Sequence, residues 1–160
     1  NIMELLKGRD IKIVVDATKE LLVKSLPYGP FLIKPNNYEL GEIFGVRLTT
    51  RSSVIPYAKK LQNMGARNVL VSMAGEGAVL VSDDGQVIDA PAPEGKLING
   101  VGAGDSMVAG FMAGYLARHD YNHAFCMGVA SGSASAFSEN LATKEEIEKV
   151  YKTIVLEEKV

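Results

Sequence analysis

Short apolar, β-branched runs alternate with helical stretches along the first half of the chain, and this alternation limits the possible folds more than any other feature. The runs Ile11-Lys12-Ile13-Val14-Val15-Asp16, Phe31-Leu32-Ile33 and Asn68-Val69-Leu70-Val71-Ser72 read as strands, each bounded by glycine, proline or polar residues. Between them, helices are predicted over residues 18–26 and 37–44, followed by a longer one that ends at Gly65. The regular part of that longer helix is predicted to begin near Pro56, because proline lacks an N–H and its ring crowds the preceding turn. Parallel strands need crossover connections, so the pattern implies an α/β fold with a mostly parallel sheet and helices on both faces.

After the third strand, residues 78–82 and 86–90 flank Asp84-Gly85, a pair suited to a two-residue hairpin turn, so an antiparallel hairpin edge is expected. The remainder reads as helical over 104–118, 122–137 and from about Lys144, where Thr143 and Glu146 match a capping box. Residues 128–136 are rich in Gly, Ala and Ser, a composition that lets a helix lie close to a neighbour or a ligand.

A chain of 160 residues with 47% apolar content can bury one ordinary core. The net charge of -2, from 17 basic and 19 acidic residues, gives no broad footprint for nucleic acid or an anionic membrane, so neither partner is expected. Cys126 is the single cysteine, which excludes an intramolecular disulfide and a cysteine-rich metal site and fits a reducing compartment. The start, Asn1-Ile2-Met3-Glu4-Leu5-Leu6, has a helix-like pattern without the long apolar run of a signal peptide or membrane span, so the expected location is cytoplasmic. It also opens without methionine inside what reads as a helix, as a fragment would. His119, His123 and Cys126 hold no metal or triad spacing and read as surface or packing residues, and the charge run 144–149 reads as a solvated helix face.

The stretch Asn99-Gly100-Val101-Gly102-Ala103-Gly104-Asp105-Ser106 carries the strongest chemical signal. Glycines let the backbone turn without Cβ clashes, and free N–H groups at a helix start, aided by the dipole, make an anion site that suits a phosphoryl group. Asp105 in the first turn could then accept a proton from an attacking hydroxyl. On residue chemistry alone the plainer reading leads: an acid capping a helix beside a glycine turn. The chain has no G-x-x-x-x-G-K-[ST], and Gly100-x-Gly102-x-Gly104 lacks the dinucleotide spacing, so P-loop and Rossmann readings both fail.

In Lys34-Pro35-Asn36-Asn37-Tyr38-Glu39, Asn36 and Glu39 stand three apart at a helix start. They can face one ligand together, and their oxygens suit Mg²⁺, often through its waters. A strand-end turn with a capping Asn and a solvated Glu fits equally. Ser72 to Gly77 is a glycine-containing turn after the third strand, and Asp16 ends the first strand, where a helix-capping role is open.

Val101-Gly102-Ala103-Gly104-Asp105-Ser106-Met107-Val108-Ala109-Gly110 resembles the carboxy-terminal motif of ribokinase-like (PfkB family) carbohydrate kinases, and Lys34-Pro35-Asn36-Asn37-Tyr38-Glu39 is similar to that family's K-P-N-x-x-E. Val71-Ser72-Met73-Ala74-Gly75-Glu76-Gly77-Ala78 resembles its strand-to-hairpin turn, with Ala74 in place of a usual glycine. Gly100 stands where the family has a small hydroxyl residue or proline. The resemblance implies that Gly102, Ala103 and Gly104 form an anion hole and that Asp105 is the catalytic base. It also implies that Lys34, Asn36, Ser72, Gly75 and Gly77 border the nucleotide, and that Asn36, Glu39 and Asp16 serve Mg²⁺, while the helix at 128–136 borders the adenine.

The implied function is ATP-dependent phosphorylation of a sugar phosphate, with Mg²⁺ as cofactor, fructose 1-phosphate as first acceptor and tagatose 6-phosphate as second. A non-catalytic nucleotide-binding module would keep the loop and metal residues and dispense with Asp105. The resemblance spans residues 1–160 as the carboxy-terminal, nucleotide-binding part of such a kinase. The amino-terminal sugar-binding motif and the β-strand lid, through which a homodimer is implied, lie outside it. The chain by itself is therefore expected to bind the donor without turning over the acceptor.

Overall fold

Of the apolar run at 11–16, only β1, Val14–Val15, pairs as a strand in the computed structural model, which describes residues 2–158. Ile11 is half exposed, and β1 is the outermost strand of its sheet, with the Ile13 carbonyl just before it accepting the Phe31 amide at 2.8 Å. The described residues divide into two compact units, one reaching Met73 and including Val79–Val87, the other comprising Ala74–Ala78 and the chain from Ile88 onward.

In the first unit, after the short helix α1 (Ile2–Leu6), β1 pairs in parallel with β2 (Leu32–Ile33), and β2 with β3 (Asn68–Ser72). Asn1, at the start of the expected first helix, lies outside the described residues. The registers are Val14 opposite Leu32, Val15 opposite Ile33, Leu32 opposite Asn68 and Ile33 opposite Val69. One crossover carries α2 (Lys19–Ser25) and the next carries α3 (Asn37–Phe44) and α4 (Arg51–Asn63), as parallel pairing requires. β4 (Ala78–Val81) follows β3 in the sheet order. Leu22, Ile33, Leu40, Val54, Leu61, Val69, Val71 and Val79 are all fully buried in one cluster, each contributing about 1.5–3 kcal/mol on burial.

Helix α4 begins five residues before Pro56, contrary to the sequence expectation. Thr50 and Ser53 close a capping box that satisfies the first turn, and Ser52 and Pro56 are both exposed. The Ser52 carbonyl that loses a partner to the proline therefore faces water. The start of β3 is held by a buried side chain: Asn68 Nδ2 donates to the Phe31 carbonyl at 2.8 Å, and its Oδ1 accepts the Asp83 amide at 2.9 Å.

The turn after β4 also departs from expectation, with a three-residue loop at 83–85 where two residues were expected. Ser82 N–H donates to the Gln86 carbonyl at 3.0 Å and Gly85 N–H to the Ser82 carbonyl at 3.1 Å, with Gly85 at φ +88°. A left-handed glycine after such a turn matches the twist of the flanking strands at the expense of one unpaired residue.

In the second unit, from Ile88 on, β5 (Val87–Ala90) pairs antiparallel with β6 (Glu157–Glu158), Ile88 opposite Glu158. Helices α5 (Ala103–Arg118) and α6 (Tyr121–Ala136) form an antiparallel hairpin, followed by α7 (Lys144–Tyr151). The turn between α5 and α6 uses His119 at φ +51° and Asp120 as the α6 cap, while Thr143 and Glu146 form the expected box on α7. Glycine brings the two long helices together. A Cβ at Gly110 would lie 2.2 Å from Ser131 Oγ and 2.5 Å from the Met127 carbonyl, and one at Gly132 would lie 3.0 Å from the Ala103 carbonyl. Close helix packing thus accounts for Gly128, Ser131 and Gly132 in the 128–136 stretch, with buried Phe111 packed against Gly128. Among the described residues, no helix is long and apolar enough to cross a membrane.

Candidate functional site

Parallel strands in register bring polar residues to their carboxyl ends, where ligands of open α/β sheets bind. Val15 pairs with Ile33, so Asp16 and Lys34 emerge side by side just beyond the strands. Lys34 is 8% exposed and its ammonium lies 3.6 Å from an Asp16 carboxylate oxygen. A cation buried to that extent needs a counter-charge, and Asp16 supplies it. Thr18, not Asp16, is the N-cap residue of α2, so the capping alternative for Asp16 does not hold.

One strand further on, Asn36 bridges Ser72 in parallel fashion, and Ser72 N–H donates to the Pro35 carbonyl at 3.1 Å. Asp16, Lys34, Asn36 and Ser72 therefore stand at the ends of β1, β2 and β3. Asn36 and Glu39 are together, and they turn toward each other. Glu39 N–H donates to Asn36 Oδ1 at 2.8 Å, while Asn36 N–H donates to Glu39 Oε2 at 2.9 Å, a reciprocal capping box on α3. The other Glu39 carboxylate oxygen takes no part in the cap. Among the described residues no three His, Cys, Asp or Glu side chains cluster as a metal cage.

The second unit holds Gly102, Gly104 and Asp105. Gly102 is the N-cap residue of α5 at φ +78°, and no side chain caps the helix start. Asp105 lies in the first turn and is exposed, with Ser106 N–H returning to the Gly102 carbonyl at 2.9 Å. An uncapped start with a carboxylate in its first turn offers amides and helix dipole to an anion and a base beside it. The approach to this loop is fixed by Asn99, which the sequence reading left without a role. Its Oδ1 accepts the Val101 amide at 3.0 Å and its Nδ2 donates to the Glu139 carbonyl at 3.1 Å. An asparagine ahead of glycines is the signal that could have found it.

The turn after β3 contains Ala74 at φ +47° and ends at Gly77, φ +101°. Ala74 thus holds the left-handed geometry that a glycine would adopt more readily, which explains why the position tolerates alanine only with strain. Gly75 is exposed, whereas Gly77 is buried beneath the Ala90 carbonyl. Asp16, Lys34, Asn36, Glu39 and Ser72 belong to the first unit, and Gly75, Gly77 and Gly102 to Asp105 belong to the second.

His123 is a packing residue, its Nδ1 lying 2.9 Å from the Tyr151 hydroxyl, and His119 is exposed at the helix turn. Burial, and then Asp120, push the Cys126 thiol up to about 11, which leaves it protonated and unreactive near neutrality.

The sequence profile of the pfkB family of carbohydrate kinases matches residues 2–148. The chain is 48% identical over 149 residues to a 1-phosphofructokinase of Bacillus subtilis, covering 93% of this chain and 49% of that protein. It is 30% identical to a D-tagatose-1-phosphate kinase of Bacillus licheniformis, again over 93% of this chain and 49% of the relative. Among solved structures, phosphofructokinase-2 of Escherichia coli in complex with substrates and products superposes with a TM-score of 0.83 at 31% identity, over 94% of this chain and 51% of that one. The chain spans about half the length of the curated relatives it matches.

Proposed function

Because the chain belongs to the pfkB family of carbohydrate kinases, we propose that it supplies the nucleotide-binding part of an ATP-dependent sugar-phosphate kinase that converts fructose 1-phosphate to fructose 1,6-bisphosphate. The observation that carries this reading is the uncapped, glycine-started α5 with Asp105 in its first turn. In the proposed reaction the Asp105 carboxylate takes the proton of the acceptor's 6-hydroxyl as that oxygen bonds the γ-phosphorus. The bond from that phosphorus to the β–γ bridging oxygen breaks, and ADP leaves. The amides of Gly102, Ala103 and Gly104 stabilise the charge on the transferring group.

Lys34 would neutralise donor phosphate charge, and Ser72, Gly75 and Gly77 would border the nucleotide. Mg²⁺ fits the donor set that remains: the uncommitted Glu39 oxygen would hold it, with Asn36 and Asp16 as further oxygen donors, since this ion is held by one or two carboxylates plus substrate phosphates. When bound it would screen the phosphate charge.

The identity to the 1-phosphofructokinase favours fructose 1-phosphate. The relative named for D-tagatose 1-phosphate supports a second acceptor, with the phosphate on carbon 1 where the sequence reading had it on carbon 6. A coupled ADP-release assay on the intact protein tests both, with turnover on the order of 1–100 s⁻¹ expected for a kinase of this kind. Absence of acceptor-dependent ADP release would refute the reading. Mg-ATP at 100 times its Kd should raise the unfolding free energy by about 2.7 kcal/mol, and an unmoved melting curve would remove even the nucleotide-binding role.

Glu39→Gln separates the cap from the metal. Glutamine can still close the capping box, so stability should hold, whereas loss of the charge should raise the Mg²⁺ concentration for half-maximal rate by roughly 10- to 100-fold. Superimposable Mg²⁺ titrations of the two proteins would exclude Glu39 from metal binding.

A further inference from the structure

We propose that Ser135 is a positioning residue for the Gly102 to Asp105 loop, acting through Ser106; its effect on turnover rests on the kinase reading above. Ser135 is on α6 and 3% exposed. Its hydroxyl accepts the Ala142 amide at 3.1 Å and donates to Ser106 Oγ at 3.0 Å. Ser106 directly follows Asp105, and its own amide bonds the Gly102 carbonyl. One buried hydroxyl thus joins three segments: the first turn of α5, the last turn of α6, and the chain entering α7.

The need for such a joint follows from the local sequence. Glycine at 100, 102 and 104 leaves the loop more conformational freedom than any other composition would, and no side chain caps α5. The α5–α6 contact is built on Gly110, Gly128 and Gly132, the last facing the Ala103 carbonyl, and such packing sets how near the helices lie without supplying a directional bond to the loop. A hydrogen bond is directional, and a chain of them polarises each member. The same segment braces the other flank of the loop. The Glu139 carbonyl accepts a hydrogen bond from Asn99 Nδ2, and a Cβ at Gly102 would already be 3.0 Å from Leu141 Cδ2. Phosphoryl transfer depends on placement, and a misplacement of about 1 Å can lower a rate roughly 10²-fold, so slack at Ser106 reaches Asp105 one residue away.

The test is a double-mutant cycle in the intact protein. At saturating Mg-ATP and fructose 1-phosphate, and normalised to folded protein, Ser135→Ala and Ser106→Ala should each lower kcat about five- to tenfold, with KM for Mg-ATP unchanged. The double variant should lose no more than either single one, because without the Ser106 hydroxyl Ser135 has nothing to brace. Amide exchange of residues 103–106 should accelerate in Ser135→Ala. That readout needs no turnover, so it decides the brace even if the unsubstituted protein releases no ADP, a result that would count against the kinase reading alone. Unchanged exchange in Ser135→Ala overturns the proposal, as do multiplied kcat losses in the double variant, the pattern expected of two unconnected structural effects.

Discussion

Asp105→Asn in the intact protein should lower kcat by roughly 10²- to 10⁴-fold, the usual loss when a general base is removed. The substitution changes one atom and keeps the side chain's size, so the glycine-started turn has no steric reason to move. Asparagine also remains an acceptor in the first turn of α5, where Asp105 is exposed. What disappears is the proton acceptor and a favourable interaction with the helix dipole of about 0.3–1 kcal/mol. Affinity for Mg-ATP should therefore stay near that of the unsubstituted protein, because the amides of Gly102 to Gly104 are backbone groups. Steady-state kinetics and calorimetry on the same preparation separate the two quantities. A kcat close to normal would take Asp105 out of the mechanism.

The parts of the site that could be read from sequence are those built by neighbours in the chain. The uncapped α5 start depends on Gly102, Gly104 and Asp105 alone, and the box on α7 on Thr143 and Glu146, so local chemistry sufficed for both. Asn36 and Glu39 were legible as a pair, but spacing could not tell a ligand-facing pair from a reciprocal cap, since both require the same offset. The start of α4 was misjudged because the proline rule assumes a helix interior, whereas Thr50 and Ser53 had already satisfied the first turn and left Ser52 to solvent. Ser135 could not have been found. Its partner Ser106 is 29 residues away, and the two meet only because glycine lets α5 and α6 approach.

Gly77→Ala should destabilise the intact protein by about 3 kcal/mol or more, the sum of left-handed strain and an overpacked contact, while Gly75→Ala two residues earlier should stay within about 0.5 kcal/mol of the unsubstituted protein. The contrast lies in what each Cβ would meet. At Gly75 there is nothing within 4 Å and the residue is exposed. At Gly77 a Cβ would fall 2.0 Å from the Ala90 carbonyl oxygen and 2.8 Å from the Ala92 nitrogen, with φ at +101°. Those obstacles are backbone, so no rotamer change relieves them, and the strand end at Ala90 must move instead. Strain alone is not the deciding term, because Ala74 in the same turn already carries a side chain at φ +47° and is exposed. Displacing the turn should also weaken Mg-ATP binding if Gly75 and Gly77 border the nucleotide, whereas Gly75→Ala should leave the melting curve in place and report on the nucleotide contact alone. Urea or thermal unfolding of the two variants beside the unsubstituted protein measures the difference. Equal stability of the two variants would mean that the chain does not close over Gly77 and that the turn owes nothing to that glycine.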